Sequence, residues 1–108
     1  MNPDTRPFVH MVFFWLHEPD NQEHRATFEA SIKRFLTDSA YAGAWHVGTP
    51  AGSDRPVVDS SYSYCLMVTF VSREMHDQYQ TEPPHLRFIS ECSKLWERVQ
   101  VYDSVARE

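Results

Sequence analysis

The stretch Phe8-Val-His-Met-Val-Phe-Phe-Trp-Leu16 is apolar on both of its alternating faces, and His10 is the one polar side chain inside it. At about 3.3 Å per residue it suits one strand, and it falls well short of the roughly 20 apolar residues of a membrane-spanning helix. A strand with two apolar faces must be covered on both sides. The rest of the chain offers helical cover for one side only, so a second copy of the chain is expected to supply the other.

With 108 residues the chain is sized for a single domain over residues 1–108 rather than for two independent cores. Hydrophobic residues make up 42% and aromatics 14%, enough for an ordinary globular core. The formal net charge is −5 and no basic run offsets it, which disfavours nucleic acid and anionic membrane surfaces as partners. Met1 to Pro7 has no basic segment followed by an apolar stretch and a small-residue cleavage site, so a cytoplasmic protein is expected. Cys65 and Cys92 lie far apart and neither belongs to a CxxC pair, which makes them core hydrophobes rather than zinc or redox residues.

After the first strand, Asp20 and Glu23 have capping-box spacing and predict a helix start. Phe28, Ile32, Phe35 and Leu36 then form one apolar stripe. Ala42 to Val47 reads as a short strand ending at Gly48, and Gly48 to Pro56 as a long surface loop without a phosphate-binding pattern. Tyr62 to Val71 alternates clearly, with Tyr62, Tyr64, Leu66, Val68 and Phe70 on one face. Ser72 predicts an N-cap for a helix through Gln80, and Pro83-Pro84 stops it and opens another. On that second helix His85, Phe88, Ile89, Cys92 and Trp96 share a face, while Arg87, Glu91, Lys94, Glu97 and Arg98 read as its solvated side and exit. Val99, Val101 and Tyr102 suggest the last strand.

The order strand, helix, strand, strand, broken helix, strand is that of an α+β ferredoxin-like split βαβ unit with a four-stranded antiparallel sheet. Right-handed crossovers put both helical elements on one side of that sheet. The set Phe8, Val12, Phe14, Leu16, with His10, is expected to face the helices, and the set Val9, Met11, Phe13, Trp15 to face away. A bare apolar face of that kind predicts a homodimer through the sheet faces.

Four segments together resemble the stress-responsive A/B barrel (Dabb) family: His10-Met-Val-Phe-Phe14, Tyr62-Ser-Tyr-Cys-Leu-Met-Val-Thr-Phe70, Tyr79-Gln-Thr-Glu-Pro-Pro-His85-Leu-Arg-Phe88 and Leu95-Trp-Glu-Arg-Val-Gln-Val-Tyr-Asp103. The resemblance covers almost the whole chain and implies a dimeric α/β barrel built from two ferredoxin-like units. It implies far less about activity, because most members have no established role. A minority are cofactor-independent polyketide cyclases, and likeness to them implies acid–base roles for His10, Tyr79 and His85. Tyr64 stands where a further pocket histidine can occur, and Glu82 where many relatives carry His.

On this topology His10, Tyr64, Tyr79 and His85 converge if they face the helices, with Phe14, Phe28, Phe88 and Trp96 as aromatic walls of a ligand pocket. Apolar walls with a few fixed donors and acceptors suit a small aromatic or polyketide-like molecule. Histidine exchanges protons near neutral pH and a tyrosine hydroxyl can steady a developing enolate, so a cyclase- or lyase-type reaction needs no cofactor. The competing functions are a non-catalytic, stress-associated dimeric domain binding a small hydrophobic ligand, and, by fold analogy alone, a cofactor-free monooxygenase or heme-handling protein. His17, His24, His46 and His76 show no HxH or HExxH pattern and read as surface or packing residues. Neither a cofactor nor a metal is expected; the nearest approach to a metal cluster would be His10 or His46 with Glu82 and His85.

Overall fold

A computed structural model describes residues 5–107. The expectation about the amino-terminal segment falls partly on residues 1–4, outside the described residues. The elements are β1 (Phe8–Leu16), α1 (Gln22–Asp38), β2 (Trp45–Gly48), β3 (Tyr64–Phe70), α2 (Arg73–Thr81), α3 (Pro83–Cys92) and β4 (Trp96–Val105). The strands form one antiparallel sheet in the order β2-β3-β1-β4, which with the helices is the ferredoxin-like arrangement. No helix among the described residues is long and apolar enough to cross a membrane.

β1 holds the centre, paired to β3 on one side and β4 on the other. Its Phe8, His10, Val12, Phe14 and Leu16 are buried toward the helices, whereas Met11 on the opposite face is exposed and Val9, Phe13 and Trp15 are half-buried. The helix-side face of β3 matches it, with Tyr64, Leu66, Val68 and Phe70 buried. From α1, Phe28, Ile32, Phe35 and Leu36 descend on this surface as the apolar stripe requires. Phe28 is the meeting point. It has no exposed surface and touches a ring from each layer: Phe14 on β1 at 5.0 Å between centroids, Tyr64 on β3 at 4.4 Å and Phe88 on α3 at 5.7 Å.

Several boundaries differ from the sequence reading. The cap of α1 is Asn21, whose side chain accepts from the His24 N–H, so the helix starts one residue after the Asp20 expectation. The second strand covers only Trp45–Gly48, because Gly43 and Ala44 pair through loop-like contacts with Thr69. A Cβ on Gly43 would lie 2.5 Å from the Thr69 carbonyl oxygen, so that approach requires glycine. β3 begins at Tyr64, and Tyr62 crosses to the helix-free side, its ring 5.0 Å from Phe13. Ser63 turns the chain there, its hydroxyl accepting from the Leu16 N–H.

The carboxy-terminal half shows the largest correction. α3 ends at Cys92, and Trp96, Glu97 and Arg98 belong to β4 rather than to that helix and its exit. The Cys92 carbonyl accepts from Leu95 in a tight turn that the helical period cannot reveal. Nor are the charges of α3 simply solvated: Arg87 reaches Asp38 at 2.8 Å, and Glu91 accepts from the Ser31 hydroxyl at 2.7 Å and pairs with Arg34, tying α3 to α1. Ser72 caps α2 by accepting from the Met75 N–H, and Pro83-Pro84 opens α3, as expected. Both cysteines are free, Cys92 in the core and Cys65 half-buried.

Replacing Phe28 by alanine removes the ring shared by three layers and should cost about 3–5 kcal/mol in urea unfolding. A loss below about 1 kcal/mol would mean that the layers close over the gap and that Phe28 is not their junction.

Candidate active site

The helices lie over β1 and β3 and leave the inner face of β4 half-open, with Val99 and Val101 39% and 41% exposed. Between α3 and this edge is a cavity of about 260 Å³. Val12, Phe14, Phe35, Leu66, Phe88, Ile89, Trp96, Val99 and Val101 make its apolar wall. The polar groups that reach it are His10, Tyr79, Gln80, His85 and Asp103.

His10, Tyr79 and His85 therefore do meet in one space. The His10 and Tyr79 rings are 5.9 Å apart between centroids, and Tyr79 and His85 are 5.6 Å apart. Of the aromatic residues expected to line the pocket, Phe14, Phe88 and Trp96 do so, while Phe28 and Tyr64 do not. Those two stack on each other at an interplanar angle of 19° beneath the cavity floor. The Tyr64 hydroxyl points away and donates to Glu29, with the Arg25 guanidinium 4.9 Å from its ring centre. Burial, and then the bond to Glu29, push its pKa up to about 12, so it remains a donor there. The convergence expected of Tyr64 thus fails because its face of β3 at that end points under α1, not under α3.

Two neighbours of His10 carry no signal in the sequence pattern. Asp103 lies directly across from it in the β1–β4 register, and its Oδ1 is 2.5 Å from His10 Nδ1. His76, expected at the surface or in packing, is buried to 8% exposure, stacked on Phe8 at 4.4 Å with its ring 4.9 Å from His10. Alternation along Val99, Val101 and Asp103 puts all three on one face, but only the strand pairing reveals that His10 is opposite. Glu82 is not part of this site: it accepts from the Ser39 hydroxyl and the Ala40 N–H, closing the end of α1. The cluster His10, Glu82, His85 does not form, and His46 is on the short edge strand β2. Among the described residues, the potential metal ligands that do come together are His10, His76 and Asp103, with one donor atom from each inside a 4.8 Å span.

Burial favours the neutral forms of His10, His85 and Tyr79. Burial pushes the His10 pKa below 6.5, with Asp103 opposing through its hydrogen bond and charge. Because Asp103 can only accept, the proton of the neutral ring sits on Nδ1, and Nε2 is left with the lone pair. Burial also lowers His85, an effect the Gln80 backbone opposes only in part; its Nδ1 is buried without a partner in hydrogen-bonding geometry. Burial and the nearby Glu82 charge raise Tyr79 well above its ordinary value, so its hydroxyl stays protonated as a donor.

The family model of the stress responsive A/B barrel domain matches residues 8–106. The chain belongs to the stress-responsive A/B barrel family. Solved structures with this fold include a hydroxynitrile lyase from Passiflora edulis, 19% identical, with a TM-score of 0.80 over 96% of both chains. A Dabb family protein with a ferredoxin-like fold from Mesorhizobium loti is 17% identical, with a TM-score of 0.78 over 95% of this chain and 99% of that one. A dimeric ferredoxin-like protein of unknown function from Thermobifida fusca is 9% identical, with a TM-score of 0.77 over 94% and 92%. At these identities the likeness is one of fold. No functionally curated protein matches the sequence significantly.

His10 and His85 take up protons less readily folded than unfolded, where their pKa is near 6.5. Their contribution to stability is therefore complete above pH 6.5 and is lost as the pH falls from there through the lowered folded values. Denaturant melts should show stability falling between about pH 7 and pH 5, with a shallower fall in His85→Gln. Stability that rises over this interval would contradict the assignment.

Proposed function

We propose that the protein is a cofactor-independent acid–base catalyst acting on a small aromatic or polyketide-like molecule in a cyclase- or lyase-type reaction. The observation that carries this reading is the His10–Asp103 pair at the polar end of an apolar cavity that Tyr79 and His85 also reach. In the reaction, Asp103 holds the His10 ring through Nδ1, and Nε2 takes a proton from an activated C–H or a hydroxyl of the substrate. The protonated Tyr79 hydroxyl donates to the oxygen on which charge develops. His85, neutral and on the same cavity, is placed to exchange the second proton. A volume of about 260 Å³ lies at the small end of ligand sites and favours a compact, one- or two-ring molecule. The hydroxynitrile lyase on the same fold supports a reaction of this proton-transfer class.

The second reading, passive carriage of a hydrophobic ligand, is favoured by the wall itself, which is apolar apart from one end. Turnover separates the two. Aromatic β-dicarbonyls, linear polyketide mimics and aromatic hydroxynitriles would be screened by product formation, with ligand binding followed by thermal shift. We expect His10→Gln and Tyr79→Phe each to lower kcat by about 10²-fold or more while binding changes little. Binding without turnover would establish the passive reading instead, and turnover indifferent to both substitutions would refute the roles given to His10 and Tyr79.

The assembly that completes this fold is a homodimer joined through the helix-free sheet faces into an α/β barrel. Met11 and Tyr102 are exposed there and Phe13 and Trp15 half-covered, which is more apolar surface than a lone sheet face usually shows. The dimeric description of the Thermobifida fusca neighbour agrees with it. Light scattering should return twice the chain mass at micromolar concentration, and Met11→Lys should shift it toward one; a monomeric wild type would refute the pairing.

A further inference from the structure

The His10, His76 and Asp103 cluster lies at the wall between two spaces. On one side is the cavity already described; on the other is a surface depression of about 220 Å³ reached by His76, Asp103, Asp77 and Arg73. The three side chains come from three different elements, β1, α2 and β4. Each is held. His10 and Asp103 are cross-strand neighbours on adjacent central and edge strands, and His76 is clamped flat on Phe8 and edge-on to Phe70 at 5.5 Å. Two imidazoles and one carboxylate, with donor atoms already gathered inside 4.8 Å, are a ligand set for a divalent transition-metal ion.

We infer that His10, His76 and Asp103 form a site for a divalent transition-metal ion of the zinc type, with the fourth position left to water or a ligand.

The geometry is near what the ion requires. Tetrahedral ligands about 2.0–2.1 Å from zinc stand roughly 3.3 Å from one another, so the donor atoms need only side-chain rotation, with the close His10–Asp103 contact opening and the His76 ring turning in. His76 has outer support when it presents Nε2, because the proton on its Nδ1 can then be donated to the Asp77 carboxylate 3.1 Å away. The depression gives an ion a path from solvent, and on its rim the carboxylates of Asp77 and Asp103 outnumber the Arg73 guanidinium. Such a site changes what His10 can do. With Nδ1 on the metal, the single proton of the neutral ring moves to Nε2, which turns from acceptor into donor. Resting on the acid–base reading, this makes the ion an inhibitor of proton abstraction, and metal occupancy a switch on the same residue.

The binding itself is tested without any substrate. Protein stripped with a chelator would be titrated with Zn²⁺ by calorimetry and with Co²⁺ by visible absorption. We expect one ion per chain and the intense absorption of four-coordinate Co²⁺. His76→Ala and Asp103→Asn should each weaken Zn²⁺ binding by about tenfold or more, and His85→Gln should leave it unchanged. No binding by the wild type, or equal binding by both ligand variants, would overturn the site, the latter pointing to exposed histidines such as His17. If a ligand variant fails to fold, X-ray absorption of the zinc-loaded wild type decides, two imidazoles being required and fewer refuting it. These outcomes stand whether or not a substrate is found; only the inhibition by Zn²⁺ depends on turnover.

Discussion

The fold depends on the closure of an aromatic layer between one face of a sheet and two helices. Phe28 sits where β1, β3, α1 and α3 all come within ring contact, and Phe35, Phe88 and Tyr79 extend the layer toward α2, with Phe35 and Phe88 stacked at 5.4 Å. Large rigid rings fill this space with little entropy lost on burial and cannot shrink to follow a gap. The layer is wide enough for β1 and β3 but not for the sheet edge. Where it runs out, beside β4, the leftover space is the cavity.

That origin explains the mixed character of the site. Its wall is simply the unfinished core, and so it is apolar; at its polar end buried imidazoles and a half-exposed carboxylate come together. A neutral imidazole between aromatic rings is costly unless one nitrogen is paired, and Asp103 supplies that pairing to His10. The same pairing selects the tautomer, leaves Nε2 available, and sets two of three ligands for an ion. Packing demand and chemical capacity thus rest on one contact between a central strand and its edge neighbour. His85 is the counter-example, half-buried with Nδ1 unpaired in hydrogen-bonding geometry and driven toward neutrality chiefly by desolvation.

Much of this was legible along the chain, for reasons of period. Alternation in Phe8–Leu16 separated the helix-facing from the bare face correctly, and the 3.6 period of Phe28, Ile32, Phe35 and Leu36 identified the covering face of α1. Errors arose where a period persists by accident across a break. Trp96 continues the spacing of His85, Phe88 and Cys92 yet lies beyond a turn, on β4. Tyr62 continues the alternation of β3 yet precedes the strand and packs on the opposite face.

The sequence by itself determined the order of elements, the single bare sheet face, the family, and three of the polar side chains that reach the cavity, because local periodicity and turn residues report on which way each side chain faces. Only the tertiary structure decided which residues stand opposite one another. Strand register brought Asp103 to His10, helix docking brought His76 beside it and carried Tyr64 away, and the edge position of β4 opened the cavity. Register and docking are set by the packing of distant segments, for which no local pattern in the chain carries a signal.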